Sequence, residues 1–370
     1  MRVVLTGGGT GGHIYPALAI GDKIKELDPE AEFLYIGDKN CMESTIVPNA
    51  GYEFKDVPAE EVNRRNIFKL VKTIIKNILG IHKAKKIMKG FRPDVVIGTG
   101  GFVSFPVIWA GESVGAKCYL HEENAFPGLA NRMLEGKVEK LTLGFEAAKK
   151  YFKEKDKLVV TGNPVRESLR NISKAEARRS LGIDAGDFVV LAFGGSLGAG
   201  KINEVMYDVM KEISGKKGMT LLFGTGRMYY DGIKEKMEAE GFAPSGNVRI
   251  KPYLDEMDKY LGASDLVICR SGAVTLAETG ACGKATVLVP SPNVTGNHQY
   301  HNAKAVADNG GSVLVEEEEL TKERVLGEIE RLSGDGKALS EMGERAKEMV
   351  PEDACGNIAK VILDDVGFGK

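Results

Sequence analysis

Arg2-Val3-Val4-Leu5-Thr6 runs directly into Gly7-Gly8-Gly9-Thr10-Gly11-Gly12-His13, and this stretch decides the fold. A short aliphatic run broken by five glycines reads as a buried strand turning sharply into a helix. Glycines let the backbone approach a ligand closely, and amides at a helix start favour an anion. A second copy of the pattern follows downstream, where residues 188–193 lead into Gly194-Gly195-Ser196-Leu197-Gly198.

Each copy opens a series. The spacing predicts strands at 2–6, 32–36, 53–57, 94–98, 117–121, 140–144 and 158–161, with helical patterns between them. A second set falls at 188–193, 220–223, 248–250, 266–269, 285–290 and 312–315. Continuous apolar strands alternating with helices imply parallel sheets covered on both faces. Gly162-Asn163-Pro164 is the internal boundary, because it closes one series before the next begins. Ligands of such sheets lie beyond the carboxyl ends of the strands. Two domains facing each other would therefore bring both glycine loops to one shared cleft.

Composition agrees. The 370 residues favour two domains, and 43% apolar with 28% charged residues excludes disorder. The formal net charge of −2 gives no global reason for nucleic-acid binding. Five scattered cysteines without a C-x-x-C pair argue against a disulfide framework or a structural zinc site, and for a reducing compartment. The apolar run after Arg2 is too short for a signal peptide, and Pro106 and several glycines interrupt the uncharged stretch from 95 to 111. A cytosolic location is expected.

Several positions can carry chemistry. The segment 7–12 satisfies G-x-G-x-x-G, but nothing else supports the nicotinamide oxidoreductase that this pattern alone would suggest. His13 stands at the mouth of the first loop, where it can act as a base or hydrogen-bond donor. His121-Glu122-Glu123-Asn124 ends a buried strand, so Glu122 is the second candidate base. In the other half, Arg270-Ser271-Gly272-Ala273 opens a helix on which Thr275 and Glu278 are neighbours. Amides there suit a diphosphate, and Glu278 suits ribose hydroxyls or a capping role. Glu316-Glu317-Glu318-Glu319 reads as a solvated turn.

One stretch is anomalous in charge. Between Val62 and Pro93 no acidic residue occurs, while Arg64, Arg65, Lys69, Lys72, Lys76, Lys83, Lys85, Lys86, Lys89 and Arg92 are basic. Ile67, Leu70, Val71, Ile74, Ile75, Ile78 and Leu79 recur at helical spacing within it. Apolar periodicity alone means core packing. With the cationic flank, and with Phe68 and Ile81 outside the stripe, it is also the pattern of an interfacial membrane helix. Phe102, Phe105 and Trp109 are candidate aromatic anchors. No aromatic–basic platform for nucleic acid accompanies the patch.

Gly9-Thr10-Gly11-Gly12-His13, His121-Glu122-Glu123-Asn124, Thr161-Gly162-Asn163-Pro164-Val165-Arg166, Gly194-Gly195-Ser196, Arg270-Ser271-Gly272-Ala273 and Asn297-His298-Gln299-Tyr300-His301-Asn302 follow in this order. Through them the sequence resembles the MurG family of peptidoglycan N-acetylglucosaminyltransferases. The resemblance implies an α/β GT-B glycosyltransferase, with two Rossmann-like domains whose parallel sheets face across a cleft. The boundaries would be 1–163 for the acceptor and membrane-associated domain, 164–345 for the UDP-sugar domain, and 346–370 for a C-terminal helix packing back on the first.

The implied reaction is inverting transfer of N-acetylglucosamine from UDP-N-acetylglucosamine to the muramoyl 4-hydroxyl of lipid I, giving lipid II for cell-wall synthesis. Carried over by position, the donor residues are Thr10, Gly11, Gly12, Asn124, Arg166, Ser196, Leu254, Ala273, Val274, Thr275, Leu276, Ala277, Glu278 and Gln299. His13 or Glu122 would be the base. No D-x-D occurs in the chain, so neither metal nor other cofactor is expected. Expected partners are the UDP-sugar, lipid I, cell-wall synthesis proteins and an anionic membrane, met through the Ile67–Phe91 region on the cytoplasmic face. Two positions depart from the family pattern. Leu197 and Glu123 stand where glutamine is common.

Overall fold

The computed structural model describes residues 1–61, 67–195 and 197–368, with the side chains of 67–69 and 170–171 excepted. Within it the chain forms two compact units, Met1–Pro164 with Glu352–Lys370, and Val165–Pro351. The first unit runs β1 (Arg2–Thr6), α1 (Gly11–Leu27), β2 (Glu32–Gly37), α2 (Glu43–Asn49), β3 (Phe54–Asp56) and α3 (Ile67–Phe91). It continues with β4 (Val95–Gly98), α4 (Ser104–Ser113), β5 (Lys117–Glu122), α5 (Leu129–Leu134), β6 (Lys140–Leu143) and β7 (Leu158–Val160).

The second unit holds α6 (Ser168–Asn171), α7 (Lys174–Leu181), β8 (Phe188–Phe193), α8 (Gly200–Ile213), β9 (Met219–Gly224), α9 (Arg227–Ala239), β10 (Val248–Lys251) and α10 (Met257–Ala263). Then come β11 (Leu266–Cys269), α11 (Ala273–Ala281), β12 (Ala285–Leu288), α12 (His298–Asp308), β13 (Val313–Leu314), α13 (Lys322–Gly334) and α14 (Gly336–Glu348). The last helix, α15 (Ala354–Val366), belongs to the first unit.

Both sheets are wholly parallel, ordered β3-β2-β1-β4-β5-β6-β7 and β10-β9-β8-β11-β12-β13. Each expected strand is present. The expected strand 285–290 stops at Leu288 because Pro290 has no amide to continue a ladder. In β1, Val4 packs with Leu34, Ile36 and Val96 on one face, while Val3 and Leu5 pack with Tyr35, Val95 and Ile97 on the other. Burial on both faces accounts for the unbroken apolar run. Each such side chain contributes roughly 1.5–3 kcal/mol.

Order reverses beside β1 in the first sheet and beside β8 in the second. Crevices beyond the carboxyl ends of strands open at such switch points. In the first unit the switch lies between the loops after β1 and β4, which touch. A Cβ on Gly101 would collide with the Gly8 carbonyl, so only glycine permits the approach.

The last boundary differs from the sequence expectation of 346. Residues 346–351 stay in the second unit, because α14 runs on to Glu348 and lays Ala346 and Val350 against Gly280. Beyond it, α15 packs Ile358, Ala359 and Ile362 into the core of the first unit. Tyr119 Oη donates to Asp365 Oδ2 at 2.5 Å, fixing the helix end.

Candidate active site

The first glycine loop is organised from behind by a carboxylate. Glu43, fully buried at the start of α2, accepts the Gly9 amide on Oε2 and the Asp38 amide on Oε1, both at 3.1 Å. The expectation of free loop amides needs correction at Gly9, whose N–H is already used. Further on, the Gly11 and Gly12 amides at the start of α1 have no internal acceptor among the described residues. These, beside Thr10, are the donors left for a ligand.

His13, in the first turn of α1, has 25% of its side chain exposed. Its Nδ1 lies 3.1 Å from the Thr99 carbonyl, just after β4, and 3.4 Å from Glu123 Oε2. The carbonyl accepts the Nδ1 proton and so leaves the Nε2 lone pair free, the arrangement a general base needs. Burial pulls the imidazole pKa down, but Glu123, then Glu122 and the Thr99 carbonyl, outweigh it and leave it raised. For Glu123, burial dominates and pushes the carboxyl up to about 7, against the opposing pull of His13.

Glu122, the other candidate base, is 2% exposed and fully engaged. Its Oε1 accepts the Asn124 backbone amide at 2.9 Å and the Asn124 side chain at 3.2 Å. Its Oε2 accepts the Gly128 amide and Asn131 Nδ2, both at 2.9 Å. Four donors on one carboxylate build the loop that caps α5. His121 is likewise structural. Its Nδ1 meets Thr142 Oγ1 at 3.0 Å and its Nε2 meets Asn163 Oδ1 at 3.1 Å, and burial drives its pKa down to about 4. Asn163 also donates to the Glu123 carbonyl at 2.9 Å, which explains the Gly-Asn-Pro signature.

In the second unit the loop after β8 presses on the turn after β9. A Cβ on Gly198 would collide with the Thr225 carbonyl, and its φ of +83° already favours glycine. Ser196 lies outside the described residues. Leu197 is 73% exposed beside the loop. Leu254 is buried, its side chain resting on Gly224 at the end of β9.

The opening of α11 carries the rest. Gly272 is its N-cap and offers no side chain to satisfy the first-turn amides of Ala273, Val274 and Thr275. Leu276 and Ala277 face the core. Glu278 pairs with Arg166, its Oε1 2.8 Å from one guanidinium nitrogen and 3.0 Å from Nε, and so does not cap the helix. Burial raises its carboxyl pKa and Arg166 partly offsets that. Gln299 accepts the Ser291 amide on Oε1 and the Ser271 hydroxyl on its carbonyl, at 2.9 and 2.8 Å. Arg270 is structural. It donates to the Val289 and Pro290 carbonyls and pairs with Glu317, so the acidic turn is anchored at that residue.

The sequence singled out His13 and the strand ends where these groups sit, but not Thr99, Glu43, Asn131 or the pairing of Glu123 with His13. The dense run Gly98-Thr99-Gly100-Gly101, so like the first loop, was the available signal for Thr99. None existed for Asn131.

On α3 the apolar stripe faces outward. Val71, Ile74, Ile75, Ile78 and Leu79 are each between 46% and 57% exposed, whereas Thr73, Asn77, Gly80 and Ala84 are buried. Small and polar residues take the inner face because Pro58 and Pro106 lie against Gly80. Val71, Lys72, Ile75, Lys76 and Leu79 line a shallow groove there. Arg64 and Arg65 lie outside the described residues, as do the Phe68 and Lys69 side chains. Trp109 packs against Phe105 at a tilt of 41° with Lys137 above its ring, while Phe102 packs near Gly9. No described helix is long and apolar enough to cross a membrane.

Residues 3–142 match the glycosyltransferase family 28 N-terminal domain, and residues 189–355 match its C-terminal domain. A Bacillus cytotoxicus protein named UDP-N-acetylglucosamine–N-acetylmuramyl-(pentapeptide) pyrophosphoryl-undecaprenol N-acetylglucosamine transferase is 41% identical over 98% of both chains. A protein of the same name from Alkaliphilus oremlandii is 41% identical over 97% of both. Among solved structures, Acinetobacter baumannii MurG superposes with a TM-score of 0.78 at 23% identity, covering 98% of this chain and 99% of that one. At that identity the likeness shows the fold, the GT-B arrangement of two α/β domains.

Proposed function

The chain belongs to the UDP-N-acetylglucosamine–N-acetylmuramyl-(pentapeptide) pyrophosphoryl-undecaprenol N-acetylglucosamine transferase family, and from that premise we propose its reaction. It is a hexosyltransferase of peptidoglycan synthesis that moves N-acetylglucosamine from UDP-N-acetylglucosamine to the muramoyl 4-hydroxyl of lipid I, forming lipid II. The observation that carries this reading is 41% identity sustained over 98% of the chain, through both units, to proteins named for this one transfer.

The chemistry follows from the two crevices. His13 Nε2 takes the proton of the acceptor hydroxyl, whose oxygen attacks the anomeric carbon. The bond from that carbon to the diphosphate breaks, its electron pair leaves on UDP, and the configuration inverts. Free amides at the start of α11 and the Arg166 guanidinium meet the leaving charge in place of a metal ion. Asn124 and the Gly11 and Gly12 amides, donor-site residues by position in the family, hold the UDP-sugar from the first unit. Radiolabelled UDP-N-acetylglucosamine incubated with lipid I tests the reading, with and without chelator. Label in the lipid fraction under both conditions is expected. No labelled lipid, or activity that chelation abolishes and magnesium restores, would overturn it.

Glu278 holds the donor nucleotide through its ribose hydroxyls once Arg166 turns to the diphosphate. Glu278→Ala is expected to weaken UDP binding about tenfold, the effect of losing charge-assisted hydrogen bonds, with little change in kcat. Calorimetric titration with UDP checks it, and unchanged affinity would remove Glu278 from the site.

The acceptor is a lipid, and α3 is the surface that meets its bilayer at the cytoplasmic face. Five exposed aliphatic side chains beside lysines form an interfacial face, and each lysine near an anionic leaflet contributes about 1 kcal/mol. Lys76 and Lys83 make ion pairs with Glu60 and Asp56, whereas Lys72, Lys86 and Lys89 make none among the described residues. Reversing Lys72 and Lys76 to Glu should weaken binding to anionic vesicles at least tenfold. Sedimentation with vesicles reads this, and salt-insensitive binding that survives the reversal would exclude the electrostatic anchor.

A further inference from the structure

The buried carboxylate behind His13 has no assigned part in the transfer. Glu123 is 3% exposed and follows β5 immediately, with Oε2 3.4 Å from His13 Nδ1. Its other oxygen, Oε1, is buried without a hydrogen-bond partner among the described residues. A bare carboxylate oxygen in such a place is costly unless a positive charge compensates it. His13 is the group near enough to do so.

Resting on the reading above, we propose that Glu123 is a positioning residue that works through His13, with the Thr99 carbonyl fixing the tautomer and Glu123 balancing the charge the ring acquires. In the reacting state the ring is neutral and donates its Nδ1 proton to the Thr99 carbonyl. The acceptor hydroxyl's proton passes to Nε2, its oxygen bonds to the anomeric carbon, and UDP departs with the electron pair. The imidazolium then stands beside the carboxylate, and the pair as a whole is neutral.

The surroundings leave this part to Glu123. Glu122 adds a weaker field but is bound by four donors, and His121 is held neutral between Thr142 and Asn163. From α2 and β2, Glu43 is tied to the Gly9 and Asp38 amides, and the Tyr35 phenol is pushed well up by burial and by Glu43 and Glu123. The pair titrates as a unit. Removing Glu123 leaves burial opposed only by the weaker pulls of Glu122 and the Thr99 carbonyl, so the ring becomes less basic and the acid limb moves to lower pH.

Glu123→Gln, which keeps the volume, is the test. In the free protein, NMR titration of the His13 ring, assigned with His13→Asn, should show its midpoint lowered by about one pH unit or more. The acid limb of kcat should move the same way, with the plateau about tenfold lower and KM for UDP-N-acetylglucosamine unchanged. Glu123→Asp, which keeps the charge, should hold the limb near its original place. An unshifted His13 midpoint, or a loss uniform across pH, would overturn the proposal. If the unaltered protein transfers no sugar, the functional reading falls, and the His13 midpoint still judges Glu123.

Discussion

Replacing His13 by Ala is expected to lower kcat by about 10³-fold, the usual contribution of a positioned general base. On the proposed mechanism the loss falls on kcat, because His13 acts on the acceptor hydroxyl in the transition state and not on the donor nucleotide. The fold should survive. The backbone anchors of that position, Thr99 Oγ1 donating to the His13 carbonyl at 2.6 Å and the His13 amide donating to the Thr10 carbonyl, do not involve the ring. Glu123 loses its counter-charge in the variant and takes up a proton, a change for which burial has already prepared it. The check is a pair of measurements, steady-state transfer and urea unfolding. Loss of less than tenfold would remove His13 as the base.

What could be read from residues alone divides along physical lines. Strands buried on both faces announce themselves, since Val3, Val4 and Leu5 leave no polar position in the run. A glycine loop after such a strand marks the ligand end of the sheet, and so His13 was visible. The helix α3 was visible as a periodicity, but periodicity does not say which face turns inward. That was decided by the inner row of Thr73, Asn77, Gly80 and Ala84, small enough for close approach to Pro58 and Pro106. Pairings across the sheet were the least legible. His13 meets Thr99 and Glu123 only because β4 and β5 follow β1 in the sheet order, and no local pattern encodes that order. Likewise, Arg166 and Glu278 were read separately as a cation for phosphate and an acceptor for ribose. The structure joins them in one ion pair, so each is the other's partner.

The choice between two bases rests on Glu122, and here the expected result is of another kind. Glu122→Ala should destabilise the first unit by about 1–3 kcal/mol, because four donors lose the one buried carboxylate they share. The Asn124 and Gly128 amides and Asn131 Nδ2 would lose the carboxylate that gathers them, leaving Asn131 with the His121 carbonyl, and α5 would lose the negative charge at its start. Glu122→Gln should not rescue it, since an amide nitrogen would face a donor wherever it replaced an acceptor oxygen. Trp109, the single tryptophan, lies on α4 of this unit, so its fluorescence follows the first unit during urea unfolding without the second obscuring it. The transition should move to markedly lower urea, and transfer should fall in step with the folded fraction. His13→Ala predicts the opposite, with activity lost and the transition in place. A Glu122→Ala protein that unfolds like the original yet transfers about 10³-fold more slowly would return the role of base to Glu122. It would also require the loop from Asn124 to Asn131 to hold its form on the remaining bond from Asn131 to the His121 carbonyl and on water.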